Sequence, residues 1–237
     1  MIKKLLLLFC VGFTFCTKPS KEADLPDKFD NVFVLGNSIT LGFGTHGMAS
    51  SDINTDYYYW VHQYLYLKDN ELVMERHSGK PWEAGNDGAL DGLSEVRLAY
   101  LENTVAENID GTEDLVIIQL GDNVNTDDKK KHFKEDAVVL INWFRTKCPD
   151  AKILWVYGWY NLTSNMPLLK EAILEAGGCE LVDISGYSSY AKYKSETGNK
   201  YVDRNGNIQK ITSTGVASHP GDLGMEMIAK SILEVLE

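Results

Sequence analysis

Short apolar segments of strand length recur along the chain, and each is bounded by polar or turn-forming residues. They cover residues 31–36, 71–77, 114–121, 152–159 and 179–185. The first, third and fourth segments are almost continuous apolar runs, which is typical of strands buried on both faces of a parallel sheet. The pattern therefore predicts five β-strands, most of them well buried.

Amphipathic segments separate these strands, and one more follows the last strand. They cover residues 56–67, 93–109, 129–147, 166–176 and 222–236. Their apolar residues recur at steps of three and four, as on one face of an α-helix. Strands that alternate with helices form a parallel sheet with helices on both faces. We therefore predict an α/β protein with three αβα layers and a five-stranded, doubly wound parallel sheet of the flavodoxin-like type.

Aromatic residues fall into two groups with different expected roles. The helical spacing within residues 56–67 predicts a core stripe of Tyr57, Trp60, Val61, Tyr64 and Leu65. By contrast, Trp82, Trp159 and Tyr160 follow predicted strand ends. We expect these three residues to be candidates for a platform on which a sugar ring stacks.

The N-terminus has the pattern of an export signal. Two lysines precede an apolar run that ends at Cys16 and is too short for a transmembrane helix. The segment resembles a bacterial lipoprotein signal, which implies lipidation of Cys16 and export to the periplasm or cell surface. Phe15 stands where such signals usually have a small residue, so ordinary secretion is the alternative. We assign residues 1–16 to the signal, 17–29 to a polar tether and 30–237 to one domain.

Charge and cysteine content exclude several classes of protein. The formal net charge of −11 argues against a nucleic-acid-binding protein and gives no support to direct binding of an anionic membrane, so we expect membrane contact only through a lipid anchor. Export would allow a disulfide between Cys148 and Cys179, but its demanding geometry favours free thiols. No metal-binding spacing of Cys or His occurs, and we predict neither a metal nor another cofactor. The oligomeric state stays open.

Small or polar residues follow three predicted strands and precede the last predicted helix. Ser38 follows the first strand, Gly79 the second and Asn123 the third, and His219 precedes the helix. Ligands in folds of this class bind outside the carboxyl ends of the strands, where these residues would meet. A serine becomes a nucleophile only beside a base, for which His219 is the candidate. Taken singly, Ser38 is equally well explained as a helix N-cap, Gly79 as a turn glycine and Asn123 as an Asx-turn.

Four short motifs that contain these residues occur in the order found in one superfamily. They are VFVLGNSIT with Ser38, RHSGKPWE with Gly79, VIIQLGDN with Asn123 and HPGDLGM with His219. Residues 31–236 resemble the SGNH hydrolases of the GDSL lipase/esterase superfamily. The resemblance implies that Ser38 is the nucleophile and His219 the general base. It also implies that Ser38, Gly79 and Asn123 form the oxyanion hole.

Three positions depart from the pattern of this superfamily. Asn37 replaces the usual aspartate of the first motif, and Val124 stands where a second aspartate is common. Val216 lies three residues before His219, where the superfamily usually has the acid of a catalytic triad. Removal of that acid from a triad enzyme can lower the rate by about 10⁴.

The missing acid leaves two hypotheses about His219. In the first, the pair acts as a Ser–His dyad. In the second, another group orients the imidazole, and Asp183, Asp203 and Asp222 are the candidates among the acidic residues. Some carbohydrate esterases of the superfamily use a main-chain carbonyl, which is what the resemblance suggests for this chain.

Together these features predict an exported serine esterase that hydrolyses small esters, with O-acetyl groups on carbohydrate as the favoured substrate. One alternative is a non-catalytic glycan-binding protein on a degenerate hydrolase fold, and another is a lipase or acyl esterase with a wide apolar groove. A phosphate-binding loop is disfavoured, because residues 36–44 lack the P-loop and dinucleotide-binding patterns. The long polar segment 188–215 is expected to loop over the carboxyl edge of the sheet.

Overall fold

The structure is a computed structural model that describes residues 28–84, 93–160, 162 and 164–237. The predicted export signal, with Cys16, and most of the predicted tether lie outside the described residues. None of the described helices is long and apolar enough to cross a membrane.

A five-stranded parallel sheet forms the centre of the domain, as the alternating pattern predicts. Its strands are β1 (Asn31–Gly36), β2 (Val73–Ser78), β3 (Leu115–Gln119), β4 (Lys152–Tyr157) and β5 (Glu180–Asp183). They are arranged in the order β2-β1-β3-β4-β5, and every neighbouring pair is parallel. The order reverses direction between β1 and β3, which is where folds of this class bind their ligands.

Helices cover both faces of this sheet. They are α1 (Ser38–Leu41), α2 (Tyr57–Lys68), α3 (Lys80–Ala84), α4 (Leu93–Tyr100), α5 (Asp127–Lys131), α6 (Phe133–Lys147), α7 (Asn165–Ala176), α8 (Thr214–Ala217) and α9 (Asp222–Leu236). A π-helical turn (Leu101–Val105) and a 3₁₀ turn (Ala106–Asn108) extend α4. Helices α2 and α9 pack on one face, whereas α4, α6 and α7 pack on the other. The three-layer αβα prediction is therefore confirmed.

The core stripe of α2 is narrower than the sequence pattern predicts. Tyr57, Val61 and Leu65 are buried at steps of four residues, and Tyr64 packs against them while partly exposed. Trp60 is 40% exposed, so its assignment to the core was wrong. An α-helix has about 3.6 residues per turn, so neighbouring residues point about 100° apart around its axis. Trp60 therefore points well away from its buried neighbour Val61.

The polar segment 188–215 has more regular structure than its composition predicts. It contains 3₁₀ turns at Tyr187–Ser189 and Ala191–Tyr193 and an antiparallel hairpin of β6 (Lys200–Val202) and β7 (Ile208–Lys210). Strands of three residues are too short to show a periodic pattern, so the hairpin could not be predicted from the sequence. The ring of Tyr201 stacks on Phe43 at 4.0 Å between centroids, which places the hairpin over the loop that follows α1.

The two cysteines of the domain are buried and free, as the sequence favours. The Sγ of Cys148 donates a hydrogen bond to Glu113 at 3.2 Å. Burial is the main cause that raises the pKa of Cys179 to about 12, so this thiol is a packing residue and not a reactive one.

Candidate active site

Ser38 and His219 lie 181 positions apart in the chain and meet at the carboxyl edge of the sheet. The Oγ of Ser38 is 2.8 Å from the Nε2 of His219. Ser38 is the first residue of α1, directly after β1. Its carbonyl oxygen accepts hydrogen bonds from the N–H groups of Gly42 (2.9 Å) and Met48 (2.8 Å). The backbone of the candidate nucleophile is therefore fixed on both sides of the turn.

The second nitrogen of His219 contacts a main-chain carbonyl. Its Nδ1 lies 2.9 Å from the carbonyl oxygen of Gly215 in α8. A carbonyl oxygen can only accept, so Nδ1 carries the proton and Nε2 presents its lone pair to Ser38. The tautomer is thus the one that a general base needs. Val216 stands at the position where the superfamily usually has the triad acid, and its side chain has no hydrogen-bonding group. The carbonyl of the preceding residue, Gly215, orients His219 instead.

The three aspartates considered as replacements for the triad acid are engaged elsewhere. Asp222 accepts from the N–H and Oγ of Ser51, both at 2.7 Å. Asp203 closes the turn of the β6–β7 hairpin, and Asp183 accepts from the N–H of Ser185 at 3.0 Å. Asp203 and Asp183 cap local turns and Asp222 binds the distant Ser51, so none of the three orients His219.

The environment of His219 favours its neutral form. Burial lowers the pKa of the imidazole below its ordinary value, against smaller opposing contributions from hydrogen bonds to the backbone at Gly215 and Val216. The ring of Tyr160 packs edge-on against the imidazole at 5.3 Å between centroids. An unprotonated imidazole at neutral pH can accept the hydroxyl proton of a serine.

The predicted oxyanion donors differ in how they are placed. Within the described chain, the N–H of Ser38 has no acceptor, and Asn123 lines the same cavity as Ser38. The N–H of Gly79 instead donates to the carbonyl of Gly36 at 2.6 Å, and Gly79 does not line the cavity. The role of Gly79 as an oxyanion donor stays a prediction. In that role, its N–H would have to share or break the hydrogen bond to Gly36. A Cβ at Gly79 would lie 2.5 Å from a methyl group of Leu120, so packing alone accounts for the glycine.

A buried carboxylate, which was not predicted from the sequence, holds the candidate oxyanion donor Asn123 in place. Glu83 in α3 is fully buried, and its Oε1 accepts from the N–H groups of Gly121 (2.6 Å) and Asn123 (3.2 Å). Its Oε2 accepts from the Nδ2 of Asn123 at 2.7 Å. Burial raises the pKa of Glu83, and these hydrogen bonds partly offset that rise. A glutamate in the first turn of a helix is common on exposed surfaces, so nothing in the sequence marked this one.

The same carboxylate accounts for Asn37 in place of the usual aspartate. The Oδ1 of Asn37 caps α1 by accepting from the N–H of Ile39 (3.0 Å), and its Nδ2 donates to Glu83 (3.1 Å). An aspartate could cap the helix but has no proton to donate to Glu83, and it would place a second buried carboxylate there. Asn37 is therefore the N-cap, and the simpler interpretation of Ser38 as that cap is wrong.

A second buried acid lies below the site. Asp122 accepts from the Nε2 of Gln119 (2.8 Å) and the N–H of Tyr160 (3.2 Å). Burial, and then the nearby charge of Glu83, raises the pKa of Asp122 to about 7. Through Tyr160 this acid supports the ring that packs on His219.

The expected aromatic platform is not formed by the tryptophans. Trp82 and Trp159 are fully buried, so neither can stack on a sugar, and this prediction is wrong for both. The ring of Trp82 lies under the guanidinium of Arg97, which is itself buried and paired with Asp136. The Nε1 of Trp159 donates to the carbonyl of Ser218 at 3.0 Å, which supports the loop before His219. Position after a strand does not determine whether a side chain turns inward.

The cavity beside Ser38 has a volume of about 330 Å³ and is bounded mainly by polar residues. Its lining residues are Asn37, Ser38, Leu41, Gly42, Met48, Ser78, Lys80, Asn123 and Lys129. A larger groove of about 550 Å³ runs between α2 and α9, but it includes neither Ser38 nor His219. Among the described residues, no cluster of three or more His, Cys, Asp or Glu side chains is suited to bind a metal.

Comparison with known proteins identifies the fold. No family model and no curated protein matches the sequence. Three solved structures are similar to this chain. The first is a carbohydrate esterase family 2 enzyme with a carbohydrate-binding domain from Corynascus thermopiles (Myceliophthora fergusii), with 12% sequence identity and a TM-score of 0.56. The others are a family two carbohydrate esterase from Clostridium thermocellum in complex with cellohexaose (18% identity, TM-score 0.53) and phospholipase A1 from Streptomyces albidoflavus (11% identity, TM-score 0.52). The matches cover 87%, 87% and 88% of this chain.

These matches differ in how much of the other protein they include. This chain covers 65% and 63% of the two carbohydrate esterases, just under two thirds of their length, and 100% of the phospholipase. At such identities the likeness establishes the fold alone. The chain has the SGNH hydrolase fold, as its four motifs predict.

The contacts of Glu83 lead to a prediction about catalysis. In Glu83→Gln, an NH₂ group replaces one of the two oxygens that accept the Asn123 N–H groups, so we expect the Asn123 amide to turn. Loss of one oxyanion donor typically lowers kcat by about 10²-fold, with little change in KM. Steady-state kinetics on p-nitrophenyl acetate would measure this loss. In an Asn123→Ala background the same change should cost much less if Glu83 acts mainly through Asn123; an additional loss of tenfold or more would mean that Glu83 acts mainly through its other partners, Asn37 and Gly121.

The ionisation of His219 leads to a prediction about pH. Since burial lowers its pKa, kcat/KM on a neutral ester should rise with pH through a midpoint below 6.5 and be level above about pH 7. A pH–rate profile from about pH 5 to about pH 8 would measure the midpoint. A midpoint at or above about pH 7 would show that the imidazole has a negatively charged partner in solution.

Proposed function

We propose that this protein is an exported serine esterase that hydrolyses small esters, with O-acetyl groups on carbohydrate as the favoured class. The observation that carries the proposal is the 2.8 Å contact between Ser38 and an imidazole whose other nitrogen donates to Gly215. A degenerate, non-catalytic binding protein would have no need of a nucleophile and base held at hydrogen-bond distance with the correct tautomer.

The chemistry proceeds in two balanced steps. The Oγ of Ser38 attacks the ester carbonyl while the Nε2 of His219 accepts its proton, which forms a tetrahedral oxyanion stabilised by the N–H of Ser38 and the amide of Asn123. Collapse of this intermediate breaks the C–O bond, and His219 returns the proton to the leaving alcohol. Water then attacks the acyl-serine by the same route and releases the acid.

The size and lining of the cavity favour a short acyl group. It measures about 330 Å³, and only Leu41 and Met48 among its lining residues are large apolar side chains. A lipase for long acyl chains would need an extended apolar groove leading from the nucleophile. The carbohydrate part of the proposal is supported by the two carbohydrate esterases that share the fold.

The mechanism predicts the loss of activity in two single variants. Ser38→Ala and His219→Ala should each lower kcat/KM on p-nitrophenyl acetate by about 10³-fold or more, since either change removes the nucleophile or its base. Ser189→Ala and His132→Ala are matched controls on the exposed surface and should match the parent. An inactive parent, or a Ser38→Ala variant with parental activity and a native circular dichroism spectrum, would rule out the serine-esterase mechanism.

We also propose that Cys16 is lipidated and anchors the protein. The supporting pattern is the lysine-led apolar run that ends at Cys16, followed by the polar tether. Incorporation of radioactive palmitate in a bacterial host should be lost in Cys16→Ser, which should also leave the membrane fraction. Cys10→Ser, a change within the same apolar run, is the control that should keep both. Equal labelling of the parent and Cys16→Ser would exclude the anchor.

A further inference from the structure

The cavity beside Ser38 has a charge opposite to that of the whole protein. Lys80 and Lys129 both line it, and none of its described lining residues is acidic, although the chain carries a formal charge of −11. A cleft lined with one sign of charge concentrates its field on the ligand. Building on the esterase function above, we propose that the natural substrate is an acyl ester on an anionic sugar. Lys80 and Lys129 bind its carboxylate or sulfate group.

The topology places these two lysines on opposite sides of the nucleophile. Ser38 follows β1, which lies between β2 and β3. Lys80 begins α3 directly after β2, whereas Lys129 belongs to α5, which follows β3. The cavity that Ser38 lines therefore receives a lysine from the β2 side and another from the β3 side, so an anionic group next to the ester carbonyl meets a positive charge.

Lys129 is held close to the reacting position. Its side chain is half-buried, and its Nζ donates to the carbonyl oxygen of Asn123 at 3.2 Å. Asn123 is the candidate oxyanion donor, so this ammonium lies beside the site of reaction. Part of the entropy cost of ordering the lysine is thereby met before the substrate binds.

Among the residues that the structure describes, both ammonium groups lack an anionic partner. Within the described chain, neither Lys80 nor Lys129 has a carboxylate oxygen within 4.0 Å, in contrast to lysines such as Lys134 and Lys152, which form ion pairs. The carboxylate of Glu83 lies behind Asn37 and Asn123, and its oxygens are occupied by their hydrogen bonds and that of Gly121. Glu83 therefore forms no ion pair with either lysine.

A second basic cavity lies beside the loop that carries His219. It measures about 290 Å³, and Lys192, Lys194 and Lys200 are among its lining residues. Lys194 forms a β-bridge with Pro220, next to His219. The one acidic residue of this lining, Asp222, is bonded to Ser51 through both oxygens. One basic cavity beside Ser38 and another beside the loop of His219 fit an extended chain of anionic sugars better than a single charged group.

The lysines could instead act on the oxyanion itself, and the two roles have different kinetic consequences. A lysine that stabilises the oxyanion raises the rate for every ester, charged or neutral. A lysine that binds an anionic group of the sugar raises kcat/KM only for substrates that carry this group. The ratio of kcat/KM between two esters that differ only in charge therefore isolates the proposed role.

The experiment compares O-acetylated oligogalacturonide with the same oligosaccharide after conversion of its carboxylates to primary amides, with released acetate as the readout. We expect the full-length protein to prefer the acid by about tenfold in kcat/KM, and the preference to shrink in about 1 M salt, where charges are strongly screened. Lys129→Met and Lys80→Met should each move the ratio toward one, and Lys129→Arg should retain it. Lys230→Met, a surface change on α9, should leave the ratio as in the parent.

The outcomes separate the two proposals. Turnover of p-nitrophenyl acetate with neither a preference for the acid nor inhibition by sulfated dextran oligosaccharide, or a preference that both methionine variants retain, overturns the anionic-sugar proposal and leaves the esterase intact. No turnover of any ester overturns the esterase; calorimetric binding of oligogalacturonide that is lost in Lys129→Met would then support the anion site alone. Inhibition by sulfated dextran oligosaccharide but not by oligogalacturonide would assign the anion as sulfate, and inhibition by neither would overturn the site.

Discussion

The carboxylate of Glu83 joins the ends of the three strands on which the candidate site is built. It belongs to the helix after β2, and it accepts hydrogen bonds from Asn37 after β1 and from Gly121 and Asn123 after β3. A buried charge without partners costs several kcal/mol, so these groups must converge on it when the protein folds. Their convergence fixes the turn that presents Ser38 and the amide that faces its substrate.

His219 is oriented by weaker electrostatics than a catalytic triad provides. A carboxylate partner would stabilise the imidazolium and raise its pKa, whereas the carbonyl of Gly215 supplies only a dipole, and burial keeps the pKa low. The imidazole is therefore a weaker base that is fully available at neutral pH. In the proposed mechanism, stabilisation of the transition state then depends more on the candidate oxyanion donors, so the order that Glu83 imposes on Asn123 matters more.

Charge is distributed unevenly between the scaffold and the site. The chain is strongly acidic, and the two buried acids of the site region, Glu83 and Asp122, do not line the cavity. Lys80 and Lys129 occupy the rim. Under the anionic-sugar proposal, this arrangement lets a fold with buried carboxylates present a positive surface to an anionic ligand, because the acids are satisfied by hydrogen bonds within the protein.

The sequence by itself determined the layered α/β fold, the five-stranded parallel sheet and the candidate pair Ser38 and His219, because periodicity and the residues at strand ends are local properties of the chain. Only the tertiary structure decided the rest. A glutamate, a tryptophan and a main-chain carbonyl look the same in sequence whether they are exposed or buried at a site. The roles of Glu83, Trp82 and Gly215 depend on contacts with residues distant in the chain, and these contacts exist only after the strands and helices have packed.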